Sequence, residues 1–394
     1  MPDFVPPEPQ KNPSPNAVHA RQVAFFAAFV LPVYKMLELP SILARFTKGG
    51  LLFPAILHFL SQIGIITSLL LVSKRSEKSL FERLREHGKG WETAFYAIYA
   101  FFFLFVAVLP LLDVEKFVYA AFYDTAPTLF SFGFFFLFAA FFCMKGFKAT
   151  GRVADFCLFL FLLPFLALTA MSLVEADISN LTPVFQWKFG DTVSAFTYTV
   201  PLFFDAVLLL PLIGNMRYRK GDGIKIVSGY SFGAVCTLVF LAVFYGVYSA
   251  IAPREHYAFA KIAQYFPALA VVGRIDLAFV YVLSIVLFFF LATPLQYATA
   301  FATRATGLKS KLPFAIAVCL GAFLFTLFCN KYYDSIYALF GEKLFFMFAL
   351  FGNLAPLSFW FLPYKKKYRP TPPTPPAPAG KPPKKEDKNA KNAR

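Results

Sequence analysis

Charged residues are scarce in this chain: they make up 15% of its 394 residues, and long stretches carry none. A soluble domain of that length needs a charged surface, so the deficit excludes one. Histidine is rarer still. Of the 4 present, His19, His87 and His256 fall outside the apolar segments. No His/Cys cluster has metal-ligand spacing, so no metal or haem site is expected. The 5 cysteines (Cys143, Cys157, Cys236, Cys319, Cys329) all lie inside apolar runs, without a CxxC or paired loop positions. They read as small buried hydrophobes rather than disulfides. Walker loops, dinucleotide-binding glycine fingerprints and nucleophile elbows are absent as well, so neither an enzyme nor a cofactor is expected. The first twenty residues have no basic stretch and no apolar core. A cleavable signal is therefore not expected, and the first span itself should direct insertion.

What the chain does have is hydrocarbon: 58% hydrophobic residues, 54 phenylalanines and a mean hydropathy of +0.60. That composition defines an all-α polytopic membrane protein. Ten apolar segments of spanning length can be marked, at 22–44, 51–72, 92–112, 128–144, 153–174, 192–214, 227–251, 275–302, 312–329 and 338–362. An even number of spans puts both termini on one side of the membrane. Of the 38 Lys and Arg, 28 fall on the side of the N terminus and 9 on the other, with Lys35 inside a span. The positive-inside rule then makes both termini cytoplasmic. The net charge of +16 is thereby a matter of topology, and no nucleic acid is implied. Residues 74–89 read as a solvated positive loop or a short helix facing anionic lipid. The expected organisation is a disordered N-terminal segment (1–20), a ten-span domain (21–363, in halves at about 21–174 and 191–363) and a disordered basic, proline-rich cytoplasmic tail (364–394). The phenylalanine runs 101–103, 134–136 and 288–290 are expected to face lipid or neighbouring helices.

The stretch Leu31–Pro40 interrupts the first span with charge and proline. Lys35 lies about 21 Å along a helix from Arg21, close to mid-membrane. A charge there costs about 2.5 to 3.5 kcal/mol, so such residues face protein, water or ligand. Pro32 and Pro40 argue against one straight helix. Lys35 and Glu38, three residues apart, can pair on one face, or they can belong to a ligand or coupling site. The sixth span repeats the pattern with Pro201, Asp205 and Pro211, and Asp205 also falls at mid-depth. Interrupted first and sixth spans, in corresponding places of two five-span halves, are the pattern of inverted-repeat transporters with a midplane site. A direct Lys35–Asp205 ion pair across the breaks is the sharpest expectation, because a buried pair costs far less than two lone ions. The candidate ligand-binding residues are Tyr34, Lys35 and Glu38 on the first span and Tyr198, Thr199, Phe203 and Asp205 on the sixth. Lys35, Glu38 and Asp205 are candidates for proton or ion coupling. His58, Ser61 and Gln62 on the second span, and Thr293 and Gln296 on the eighth, are spaced for hydrogen bonds between helices.

Several short motifs occur together. Gln22 precedes a first span ending in Leu39-Pro40-Ser41-Ile42-Leu43-Ala44, and Lys145-Gly146 is followed by Arg152 before the fifth span. Asp177-Ile-Ser-Asn-Leu-Thr-Pro183 follows the fifth span, and Gly273-Arg-Ile-Asp276 opens the eighth. Over about residues 20–360 the chain resembles the permease-like B subunits of GerA-type spore germination receptors. The resemblance implies the amino acid, polyamine and organocation superfamily and a LeuT-like five-plus-five fold with broken helices 1 and 6. It also implies a site for a small nutrient such as an amino acid, partner A and C subunits, and the inner spore membrane. Where that family often has glycine at the first break, this chain has none between Arg21 and Gly49 and places Lys35 there. A proton-coupled amino-acid transporter of the same fold, and a scaffold whose charges are locked in permanent pairs, are the rival readings.

Overall fold

A proline ring collides with the carbonyl of the residue four positions earlier, and this decides where the first span departs from α-helix. In the computed structural model, which describes residues 18–361 except 77, 123–127, 182–187, 265–275, 331, 333–334 and 336–346, that span begins as α1 (Ala20–Phe25). It then widens into a single π-turn, Phe26–Val30, and continues as α2 (Leu31–Thr47). The carbonyl that Pro32 would strike belongs to Ala28, inside the π-turn. The interruption therefore falls about one turn before the stretch Leu31–Pro40 where it was expected, and Pro40 is carried inside α2. Widening the turn also leaves Pro32 in the first turn of α2, where its missing N–H has no partner to lose.

The second span is α3 (Leu52–Lys74). Between it and the third lies α4 (Leu80–His87), opened by a reciprocal cap: the Ser79 amide donates to Glu82 Oε2 at 2.8 Å and the Glu82 amide to Ser79 Oγ at 3.3 Å. Leu80, Phe81 and Leu84 are buried, so this basic stretch folds its apolar face onto the protein instead of remaining a solvated loop. Next come α5 (Lys89–Phe122), α6 (Thr128–Met144) and α7 (Phe147–Glu175). The sixth span is broken outright. It runs as α8 (Phe189–Thr199), a 3₁₀ turn over Val200–Leu202, two non-helical residues, and α9 (Asp205–Gly214). The chain continues through α10 (Asp222–Tyr248), α11 (Ala258–Gln264), α12 (Asp276–Thr306) and α13 (Leu312–Asn330). The final described segment is a π-turn and 3₁₀ pair covering Phe348–Leu354 and Ala355–Phe361.

Among the described residues, 8 helices are long and apolar enough to cross a membrane, and the shorter apolar helices Phe132–Met144 and Phe348–Phe361 occupy the places of the fourth and tenth expected spans. The N-terminal segment to residue 17, part of 338–362 and the basic tail lie outside the described residues, as do residues 273–275 of the motif opening the eighth span. Burial separates the spans. The apolar stretch of the first is 94% buried and that of the sixth 83%, whereas the others range from 28% to 67%. The two interrupted helices are therefore the axis around which the rest are arranged. The phenylalanine runs split between lipid and protein: Phe101 and Phe134 are exposed, while Phe102, Phe103, Phe135 and Phe136 are buried.

The first span and α10 approach closely. A Cβ on Gly229 would lie 2.6 Å from the Ala24 carbonyl oxygen, and one on Gly233 would lie 2.9 Å from that of Ala27 and from Pro32 Cγ. Two glycines four apart are a small-xxx-small seam, which lets helix backbones touch. Gly229→Ala and Gly233→Ala should each lower stability by about 1 to 3 kcal/mol through overpacking. Thermal unfolding in detergent measures this. Gly64→Ala is the control, because nothing lies within 4 Å of a Cβ there.

Candidate functional site

The break in the sixth span leaves backbone groups without helical partners, and α3 supplies them from two side chains one turn apart. His58 Nε2 lies 3.0 Å from the Phe196 carbonyl oxygen and 2.9 Å from Thr199 Oγ1, closing the end of α8. Its ring is stacked between those of Phe196 and Phe203, at 3.8 and 4.2 Å between centroids. Gln62 spans the gap itself: its Nε2 donates to the Phe203 carbonyl at 2.9 Å, and its Oε1 accepts the Ala206 amide at 3.0 Å. The same amide nitrogen donates to Asn353 Oδ1 at 2.5 Å, bringing in the last span. Ser61, expected on the same face, is exposed instead: at i+3 and i−1 from these residues it is rotated off their stripe.

The break delivers Asp205 to the first turn of α9, where the unpaired N–H groups of the helix favour a negative charge. Its carboxylate is held from two further directions. Lys35 Nζ donates to Oδ1 at 2.5 Å and Tyr230 Oη to Oδ2 at 2.6 Å, and all three residues are buried. The Lys35 ammonium also sits over the Phe203 ring, 5.1 Å from its centroid. The expected pair across the first and sixth spans is thus formed, and α10 joins it through Tyr230. Pro32, Phe59 and Gly233 close around it and leave no space wide enough for a water molecule.

The remaining expected residues do not all reach this point. Tyr34 and Glu38 are four apart on α2 and share a face, which is turned away from that of Lys35. Tyr34 Oη donates to Asp113 Oδ2 of α5 at 2.6 Å, its ring stacks on Phe290, and buried Glu38 lies within Coulombic range of Asp113. Lys35 therefore pairs with Asp205 and not with Glu38, and the charges of α2 serve two separate clusters. Thr199 Oγ1 donates to the Ala195 carbonyl of its own helix at 2.7 Å and meets His58, while Tyr198 packs against Phe46. Over this second cluster stands Tyr257, outside the spans with φ 60; burial first, then the charges of Glu38 and Asp113, raise its phenol above the ordinary value. Tyr230, Asp113 and Asn353 are site residues that spacing arguments pass over. For Tyr230 a signal existed, since it sits directly after Gly229 in Gly-xxx-Gly, the face that must touch the first span. The short motifs turn out to be joints. Gln22 Nε2 donates to Asp155 of α7 at 3.2 Å, and Gln296 accepts from Thr150 at 2.5 Å and donates to the Phe142 and Lys145 carbonyls. Asn180 Nδ2 donates to the Gly246 carbonyl at 3.2 Å. Among the described residues no group of three or more His, Cys, Asp or Glu is placed to hold a metal ion.

Eight helices of spanning length and two shorter apolar ones among the described residues, with the sixth span broken at mid-length and the first departing from α-helix beside it, define a LeuT-like fold of the kind found in membrane transporters. Solved structures agree. Two mutants of the Eremococcus coleocola manganese transporter superpose with a TM-score of 0.58 at 12% identity, covering 86% of this chain and 78% of that one. The same transporter in complex with an aromatic bis-isothiourea substituted compound gives 0.54, over 85% and 78%. At that identity the likeness is one of fold. No curated protein sequence matches the chain significantly. A profile described as spore germination protein matches residues 51–335, and the chain belongs to that family of spore germination permeases.

Two outcomes follow from the site's geometry. Lys35→Ala leaves a buried carboxylate without its cation and should cost about 3 to 5 kcal/mol, whereas Lys35→Ala with Asp205→Ala should be the more stable of the two proteins. Gln62→Leu strips partners from the Phe203 carbonyl and the Ala206 amide and should cost about 2 kcal/mol or more. Thermal unfolding in detergent measures both.

Proposed function

We propose that this permease-family chain is the membrane subunit of a spore germinant receptor, binding a small nutrient of the amino-acid class between its first and sixth spans. The observation that carries this is the buried triad of Lys35, Asp205 and Tyr230 at the break. An ammonium and a carboxylate in contact, beside a helix N-terminus, are the complement of a zwitterion. A ligand carboxylate takes Lys35 and the start of α9, and a ligand ammonium takes Asp205 and the Tyr230 oxygen. Because no space there is wide enough even for a water molecule, binding requires α9 and the first span to separate, and the ligand shifts the population between closed and open arrangements. Tyr34, Glu38, Tyr198, Thr199 and Phe203 line or support the opened site in this reading. Partner A and C subunits read that shift, at the inner spore membrane, with both termini of the chain on the cytoplasmic side.

The second reading is a proton-coupled amino-acid transporter with Asp205 or Glu38 as the proton carrier, favoured by the burial of Glu38 beside Asp113. A thermal-shift screen against amino acids, sugars and nucleosides tests the site. An amino acid should raise the unfolding midpoint of the wild type and of Gly64→Ala, where a Cβ meets nothing within 4 Å, and should have no effect on Lys35→Ala or on Lys35→Ala with Asp205→Ala. A wild type that responds to nothing, with a double variant more stable than the single, would mean a permanent structural pair. Uptake of the labelled ligand into proteoliposomes separates the two readings: the receptor gives binding without net flux.

A further inference from the structure

At the end of the bundle where the first span begins, a cleft of about 430 Å³ opens, far from the Lys35–Asp205 pair. Four elements line it: α4 with Phe81, Glu82 and Arg85, the start of α5 with Glu92 and Tyr96, the residues after α9 with Asn215 and Arg217, and the end of α12 with Arg304. Three arginines thus converge from three elements, against two glutamates. Glu82 is already engaged, its Oε2 taking the Ser79 amide and its Oε1 lying 3.4 Å from Arg217.

Arg304 forms the inner wall. Its guanidinium is half-buried and surrounded by the rings of Phe81, Tyr96 and Phe147, at 5.3 to 5.4 Å from their centroids. Its hydrogen bonds go to neutral oxygens: Nη2 to Asn215 Oδ1 at 2.8 Å and Nη1 to Tyr96 Oη at 3.4 Å. Among the described residues no carboxylate lies within ion-pair distance of it. A guanidinium withdrawn from water, fixed in orientation and lacking an anion is the arrangement that recognises a planar or tetrahedral oxyanion. The surplus of positive charge is felt by its neighbour: burial, then the Arg304 charge, holds the Lys311 ammonium below its ordinary value.

The geometry points to a second binding site in this cleft, for a phosphate-bearing anion held by Arg304, Arg217 and Arg85. The volume exceeds that of a bare phosphate, so the occupant is a phosphomonoester or the headgroup of an anionic lipid. Its position gives it a mechanical role. Arg304 ends a helix that packs along α5, whereas Arg217 follows α9, which packs on α3. One anion shared by the two arginines ties those pairs of helices together at this end, as a clasp between the broken sixth span and the unbroken eighth.

The test uses the full chain, with inorganic phosphate titrated in detergent at constant ionic strength and with nanodiscs of phosphatidylcholine with or without phosphatidic acid. Phosphate should raise the unfolding midpoint saturably, and Arg304→Gln should weaken the apparent affinity about tenfold or more, the loss expected for one charge-assisted hydrogen bond. A response to phosphatidic acid alone, with the lipid retained by the wild type and lost from Arg304→Gln in native mass spectrometry, assigns the site to a headgroup. Asn215→Asp sets a carboxylate against Arg304 and should remove the response while keeping the protein folded, which covers the case of a misfolded Arg304→Gln. Tyr230→Phe should respond as the wild type does, so failure at the central site and failure here are distinguishable. A wild type indifferent to both probes, or variants at Arg304 and Asn215 that respond as the wild type does, would overturn the proposal.

Discussion

The contact between Lys35 and Asp205 is the constraint on which the other features depend. Each charge alone at that depth costs about 2.5 to 3.5 kcal/mol, so neither residue is tolerable unless both reach the same point. Reaching it demands that the sixth span break immediately before Asp205, since only there does the carboxylate meet the exposed amides of a helix start. It also demands that α10 come close enough for Tyr230 to supply the second hydrogen bond, which the glycines on either side of that tyrosine allow. The depth of burial of the first and sixth spans is the same requirement expressed in packing: an ion pair in hydrocarbon has to be wrapped by helices on every side.

The spans and the ion pair were legible because their signals are strong and local. Twenty apolar residues in succession have few alternatives, and a lysine and an aspartate at matching depth in two proline-bearing spans have few other partners. What was not legible follows from direction, which a linear sequence encodes only through helical phase. Tyr34, Lys35 and Glu38 look like one cluster in print, yet a rotation of about 100° per residue sends Lys35 to α9 and its neighbours to Asp113. The displaced interruption has a comparable cause, since a proline disturbs the turn that precedes it and Pro32 accordingly widens Phe26–Val30. Tyr230 and Asn353 lie 25 and more residues beyond the break they serve, where no periodicity connects them to it.

The short motifs that suggested the family share a structural role visible in their contacts. Gln22 and Asn180 each bond to the backbone or a side chain of another span, and the Lys145 carbonyl accepts from Gln296 of the eighth span, at the corners where helices enter and leave the bundle. Long apolar helices accept many substitutions of similar volume. A joint does not, because a buried amide has to find both a donor and an acceptor.

Gln62 gives the broken helix an unusual kind of pivot. In an unbroken helix the Phe203 carbonyl and the Ala206 amide would find their hydrogen-bond partners within the same helix, and any bending there would act on that ladder. Here one side chain with rotatable bonds supplies both partners, and it is anchored on α3 and tied to Asn353 of the last span. Rotating the Gln62 amide exchanges those partners without altering the sixth span's own backbone ladder on either side. The α8–α9 junction is thus held in the manner of a latch: a single amide fastens both edges of the break to α3 and to the tenth span at once.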